Sequence, residues 1–384
     1  MFEAYLKDVA LRIAELRTHI APHDITRALD ALGRELWVTK AREISESRAK
    51  ELFGDTPRLW QDTILAALEH EGVLIRQPGD TSGATVAVVY DLLAGHIVAS
   101  SLVRAHGAGV AEVLADASIV ETFAGSWENQ HRLASDIFNA LVTVMPAAGA
   151  RQLWQVVPAE LKTRALLQAI RLEPSFIDSA TVTEVTENFT DLVGARPSVF
   201  RQLVAPRAID QHPFNATFLD RMLRDLVVAE RDLLWTEWLR TAAGNAGRTT
   251  ATADVERQVR RWKTSTDRTP ADALRARWLM WTLTSTDRNL RDAATEALYW
   301  FGRAAPGDLF DLAIDALAIN DAYIGERVMA AAYGVVTAEA GHVTAGHDAR
   351  RARFNEAFES FLVELVEALI GQTDQPATPR PTTP

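Results

Sequence analysis

The chain has 384 residues, of which 48% are apolar, with a formal net charge of −11 and no cysteine. The acidic balance argues against nucleic acid as the ligand, since phosphate binding needs a concentrated basic surface. The missing cysteines exclude disulfide stapling and thiolate metal sites.

Phe2, Leu6, Val9, Ala10, Ile13 and Leu16 make an amphipathic helical stripe with charges between them, unlike the basic start and apolar run of a signal peptide. No uncharged stretch approaches the roughly 20 residues that cross a bilayer, so a cytoplasmic protein is expected. Asp24 can cap a second short helix through Leu32. Asp55-Thr56-Pro57 opens a third, with Trp60, Ile64, Ala67 and Leu68 inward and Gly72 at its end. Val73–Ile75 and Ala84–Tyr90 read as a hairpin around the glycine-rich turn Pro78–Gly83. Three helices followed by a hairpin outline a winged helix over residues 1–105, closing with an apolar helix from Asp91 to Val103.

From residue 106 the pattern is almost purely helical. Candidate helices are Ala108–Leu114, Trp127–Val144, Ala147–Val156, Pro158–Ile170, Ser179–Leu192, Pro197–Leu203, Ala216–Arg224 and Ala229–Ala243. Breaks fall at Pro146, Pro174, Pro206 and Pro213. Gly244–Thr250 interrupts the array as a loop, and Asp254–Lys263 and Pro270–Leu283 resume it. A two-copy repeat with a spacing of 34 residues follows. Leu290, Ala294, Ala297, Leu298 and Phe301 recur as Ile324, Val328, Ala331, Ala332 and Val335, Asp287 recurs as Asp321, and Tyr299 as Tyr333. The aspartates stand where they can cap each helix, and the alanines allow close helix approach. A repeat of this length is one helix pair, which must stack on its neighbours to bury its stripe. A last stripe runs through Phe354, Phe358, Phe361, Leu362, Leu365 and Leu369, and the Pro/Thr-rich tail from Gly371 is expected to be disordered. The fold class expected is therefore all-α. A winged-helix-like module with a small β-hairpin (1–105) precedes a HEAT/TPR-like α-solenoid (106–370) and a tail (371–384).

Chemistry is sparse. No phosphate loop, HExxH, G-x-S-x-G or EF-hand loop occurs. His342 and His347 with Asp348 have the wrong spacing for one helix face and sit between glycines, which reads as a solvated loop rather than a metal site. His96 reads as a packing histidine. Leu234, Trp235, Trp238 and Leu239 form one stripe, with Trp278, Trp281 and Trp300 beyond; helical spacing favours core over partner anchors. Glu230, Arg231 and Asp232 read as a solvated face. The winged-helix reader helix, Pro57–Glu71, carries only Arg58 against Asp62, Glu69 and Glu71, which disfavours DNA readout. No catalytic, cofactor or metal residue is assigned, and the expectation is a non-enzymatic protein-binding chain with neither nucleic acid nor membrane as a partner.

The segments His212–Leu223 (HPFNATFLDRML), Ala229–Arg240 (AERDLLWTEWLR), Leu283–Arg303 and Ile319–Val335 resemble the region after the ATPase core in bacterial antiviral STAND, NACHT-like ATPases. Val86–Ala99 is similar to that family's junction after the winged helix. Tyr90 stands at the aromatic position, whereas Gly95 replaces a typical acidic residue and Val88 a typical Phe. The resemblance implies a winged helix and a helical sensor that grips a phage protein, coupled to an ATPase module encoded upstream or separately. It also implies that this chain is a piece of a larger protein, a split product or a decayed member. Alternatives are a stand-alone helical-repeat scaffold and a winged-helix transcription regulator.

Overall fold

The computed structural model describes residues 2–55, 59–78, 83–195, 198–244, 251–341 and 348–373. It is mostly helical with one small three-stranded sheet. Contacts divide the chain into two compact units, Met1–Thr181 and Val182–Pro384. The sequence-drawn division at 105/106 falls inside the first unit.

In the first unit α1 (Phe2–Leu16) packs on α2 (Pro22–Thr39), which starts with Pro22 and Asp24 in its first turn and runs a full two turns past Leu32. Two elements that the sequence reading missed follow: β1 (Glu43–Ser45) and α3 (Glu46–Phe53), the latter capped by Ser45. The next helix starts later than Pro57. Residues 56–58 lie outside the described structure, Trp60–Asp62 is a 3-10 turn, and α4 is Ile64–His70. Two side chains explain this start. Thr63 accepts the amide of Ala66, and the buried Asp55 accepts those of Ile64 and Leu65 at 2.8 and 3.0 Å. Together they satisfy three of the amides a helix start leaves orphaned. β2 (Leu74–Gln77) and β3 (Thr85–Val88) pair antiparallel as expected, and β1 adds to β3 on its other side, giving the order β1-β3-β2. The middle of the expected hairpin turn, 79–82, lies outside the described residues.

α5 (Asp91–His106) is the core of this unit, packed against α2 and against α8 (Ala134–Ala147). Its length and hydropathy, taken with the following turn and α6 (Val110–Ala115), would pass for a membrane span, but Leu93, Ala94, Ile97, Val98, Ala99 and Leu102 are buried inside the unit. Glycines set both approaches. A Cβ on Gly95 would lie 2.4 Å from the Asp136 backbone of α8, and one on Gly33 of α2 would lie 2.8 Å from the Ile97 carbonyl. That close passage accounts for a glycine where an acidic residue was expected. α7 (Ser118–Ala124) was not anticipated, and α8 starts at Ala134 rather than Trp127. Pro146 sits in the last turn of α8, Gly149 follows at φ +75°, and the expected helix Ala147–Val156 is only a 3-10 turn, Leu153–Gln155. α9 (Ala159–Ala169) agrees with the reading. Trp154 donates to Thr181 Oγ1, which donates in turn to Gln152 at 2.8 Å.

The second unit takes in most of α10 (Ser179–Glu187), then α11 (Phe189–Ala195), α12 (Ser198–Val204) and α13 (Ala216–Asp225). The expected helix Ala229–Ala243 is three pieces: α14 (Val228–Arg231), a π-helical turn at Asp232–Thr236, and α15 (Glu237–Gly244). Of the expected loop Gly244–Thr250, Gly244 instead ends α15, and 245–250 lie outside the described residues. α16 (Ala251–Thr264) and α17 (Pro270–Thr282) follow. The repeat helices are α18 (Arg288–Gly302) and α20 (Ala322–Gly341), separated by an unanticipated α19 (Pro306–Leu317). α21 (Asp348–Thr373) comes last, and the tail beyond it is not described. α18 packs between α16 and α20, while α19 packs on α18, α20 and α21. All ten repeat positions are buried, none above 2% exposure. Asp287 accepts the amide of Asn289 and Asp321 that of Tyr323, at 2.9 and 3.1 Å, so each aspartate caps its helix.

Candidate functional site

With one stripe of each repeat helix committed to the core, the opposite stripe faces outward. On α18 this leaves Tyr299 and Trp300 half-buried at the surface, and on α20 it leaves Tyr333 73% exposed. The Tyr299 and Trp300 rings meet edge to face at 5.1 Å. Lys263 of α16 lies 5.3 Å over the Trp300 ring. Arg303 donates to the Tyr299 hydroxyl at 3.0 Å and pairs with Glu339 of α20. Gly334 occupies the repeat position of Trp300, and a Cβ there would sit 3.2 Å from the Tyr299 ring. The second copy thus gives up its aromatic so that the first copy's tyrosine can lie against α20. The outcome is an aromatic strip with basic groups along it, drawn from α16, α18 and α20. Tyrosine, tryptophan and arginine together are the side chains that most often carry protein–protein binding energy.

A polar strip lies nearer the helix starts. Arg327 of α20 donates to Asp292 of α18 at 2.9 Å and, through Nη2 at 2.8 Å, to the Tyr323 hydroxyl. The Arg327 hydrogen bond lowers the Tyr323 pKa, with Arg291 adding to it. Arg291 sits 5.4 Å over the same ring and donates to the Ser285 carbonyl.

The tryptophans of the preceding helices are core, as their spacing suggests. Trp235, Trp278 and Trp281 are buried, whereas Trp238 and Trp300 are half-buried. Each deeply buried indole N–H has an acceptor: Trp235 the Trp281 carbonyl, Trp281 the Asp220 carboxylate, Trp262 the Asp272 carboxylate. Asp220 also accepts from Arg224 and Arg277, and Arg277 bridges to Asp315 at 2.9 Å. Asp272 accepts from both the backbone and hydroxyl of Thr269. Burial pushes its pKa up, but the Trp262 and Thr269 hydrogen bonds outweigh that and hold it below the usual carboxylate range. These carboxylates are saturated by fixed donors, which suits tethering helices rather than moving protons.

Arg231 corrects the reading of a solvated charged face. Glu230 and Asp232 are exposed, but Arg231 is fully buried. It lies 5.4 Å from the Trp281 ring and bonds Asn320 and Asp321, while its Nε has no hydrogen-bond partner. Asn320 in turn donates to the Leu226 carbonyl. The signal was present in the sequence: Arg231 stands four residues before Trp235, on the backward extension of the apolar stripe.

Of the histidines, His96 is half-buried against Phe2 and Glu3, and burial lowers its pKa. His342 and His347 lie outside the described residues, as does the expected reader-helix Arg58. His131 and His212 were given no role of their own in sequence, yet both are buried and each accepts a backbone amide at Nδ1, from Leu133 and Phe214 respectively. For His131 that leaves Nε2 to donate to the Leu36 carbonyl at 2.9 Å. Burial, helped by Lys40, lowers its pKa to about 4 against the opposing pull of the Leu36 bond. Among the described residues no group of three His, Cys, Asp or Glu could hold a metal ion.

No family model, curated protein or solved structure matches the chain.

Proposed function

We propose that this chain is a non-catalytic protein-binding module whose partner docks on the outward face of α16, α18 and α20. The observation that carries the reading is the register of the two repeat copies. Matched positions go to the core in both, while outside the core Tyr333 is 73% exposed and the half-buried Tyr299 and Trp300 rings meet edge to face. Repeated helix pairs stacked in sequence make extended surfaces that hold macromolecules, so α16–α21 is read as a short α-solenoid of the HEAT/TPR kind. The winged-helix reading of residues 1–105 rests on α2, α3 and α4 and on the β1-β3-β2 sheet. The biological role follows from the resemblance set out above: the sensor part of a STAND-type defence ATPase, binding a phage protein and coupling to an ATPase module supplied elsewhere.

The test is phage challenge of the native host with and without the gene, and with Trp300→Ala plus Tyr333→Ala in place. Loss of protection in the deletion and in the double variant supports the defence role. Unchanged protection in the deletion removes it and leaves the stand-alone scaffold.

A further inference from the structure

α21 carries an apolar stripe that nothing in the described structure covers. Phe361 points into the unit and stacks on Phe310 of α19 at 4.6 Å. On the opposite side Leu362, Val363, Val366 and Leu369 are 43 to 60% exposed. Their spacing of i, i+1, i+4 and i+7 makes one continuous helical face of the kind that receives an amphipathic helix. Such a row is larger than the scattered single apolar residues normal on a protein surface.

The flank of this stripe is acidic. Glu364 and Glu367 run along it on α21. Glu364 is close enough to Asp311 of α19 to raise its pKa, after burial and together with Asp308 and Asp315. Asp308, Asp311 and Asp315 are all exposed along α19. Asp315 is held by Arg277, but among the described residues no cation forms an ion pair with Asp308, Asp311, Glu364 or Glu367. A second copy is a poor occupant, because antiparallel pairing about Val366 sets Glu364 and Glu367 of one copy near those of the other. Residues 374–384 are poorer still, with four prolines and no Leu, Ile, Val or Phe.

We infer that the exposed face of α21 docks a basic amphipathic helix of another protein, its apolar side on Leu362, Val366 and Leu369 and its Lys or Arg side along the α19–α21 carboxylates. This goes beyond the proposed function and uses a different surface from the Tyr299–Trp300–Tyr333 strip, so either can fail alone.

The full chain is titrated against a fluorescein-labelled 18-residue Leu/Lys amphipathic helix, followed by anisotropy, with a Leu/Glu helix of the same apolar pattern as control. Micromolar binding of the Leu/Lys helix is expected, at least tenfold tighter than the Leu/Glu helix and weakened severalfold by 0.5 M salt. Val366→Asp should abolish it with the far-UV circular dichroism unchanged, and Glu367→Lys should weaken it several-fold. Three outcomes overturn the inference. They are equal affinity for the two peptides, binding that survives Val366→Asp, and a wild-type dimer in sedimentation that Val366→Asp dissociates. Phosphatidylcholine/phosphatidylglycerol vesicles that bind wild type but not Val366→Asp would also overturn it, in favour of a lipid surface.

Discussion

Arg327 reaches from the second repeat helix to Asp292 on the first, 35 residues away in sequence, and closes the ion pair at 2.9 Å. The pair links the two copies on their outward side, while Leu290, Ala294, Ile324 and Val328 do so in the core. Its Arg side is 25% exposed and its Asp side 48%. An exposed pair of this kind contributes about 0.2–1 kcal/mol. Asp292→Ala should therefore shift the urea midpoint of the second unit only slightly.

Asp272 should behave differently. It is fully buried and holds Trp262, Thr269 and Arg275 at once. Asp272→Ala removes the acceptor and leaves the Trp262 indole N–H unpaired inside, at a cost of about 1–3 kcal/mol. A chemical denaturation curve checks this; a loss below 1 kcal/mol would mean water replaces the carboxylate.

Acid titrates the same group. The folded pKa of Asp272 lies below the unfolded value of about 3.9, so its stabilisation is complete above that value and is lost as pH falls through the folded pKa. Wild type should lose stability below about pH 4, and Asp272→Asn should lose this component of the slope. Thermal melts from pH 7 to pH 2 measure it.

His131 makes the corresponding claim for the first unit. With its pKa at about 4, it is neutral through the physiological range and should show no imidazole titration by NMR above about pH 5. Because the folded pKa lies below the unfolded value of about 6.5, its contribution is whole above that value and drains away as pH falls towards 4. A titration midpoint near 6.5 would place the ring in water instead.

Gly95 tests the packing of α5. Gly95→Ala puts a Cβ against the α8 backbone at Asp136, where no flexible side chain can give way. A destabilisation of about 1–3 kcal/mol is expected in the first unit. Gly95→Asp, the residue type expected at that junction, should cost more because it also buries a charge.

Much of this was legible in sequence wherever a helix exposes one face and buries the other. The ten repeat positions, the two capping aspartates and the buried tryptophans follow from period and capping chemistry alone. What failed depended on contacts distant in sequence. α4 starts at Ile64 because Asp55 folds back onto its amides, and β1 is a strand because β3 is beside it. The burial of Arg231 depends on Asn320 and Asp321, some 90 residues on. α19 was legible as well, since Pro306 opens it and the buried Leu309, Phe310, Ala313 and Ala316 keep helical spacing. The aromatic strip was half legible, since the Tyr299–Tyr333 match was visible but the direction the rings face was not.

A partner protein docked on the outward face of α16, α18 and α20 would contact Tyr299, Trp300 and Tyr333. A photo-crosslinking amino acid at position 333, compared with one at the exposed position 16, tests it directly in the native host before and after phage infection. A single discrete adduct is expected at 333, formed on infection and absent at 16. No adduct at 333 in either state, or the same adducts from both positions, would contradict it.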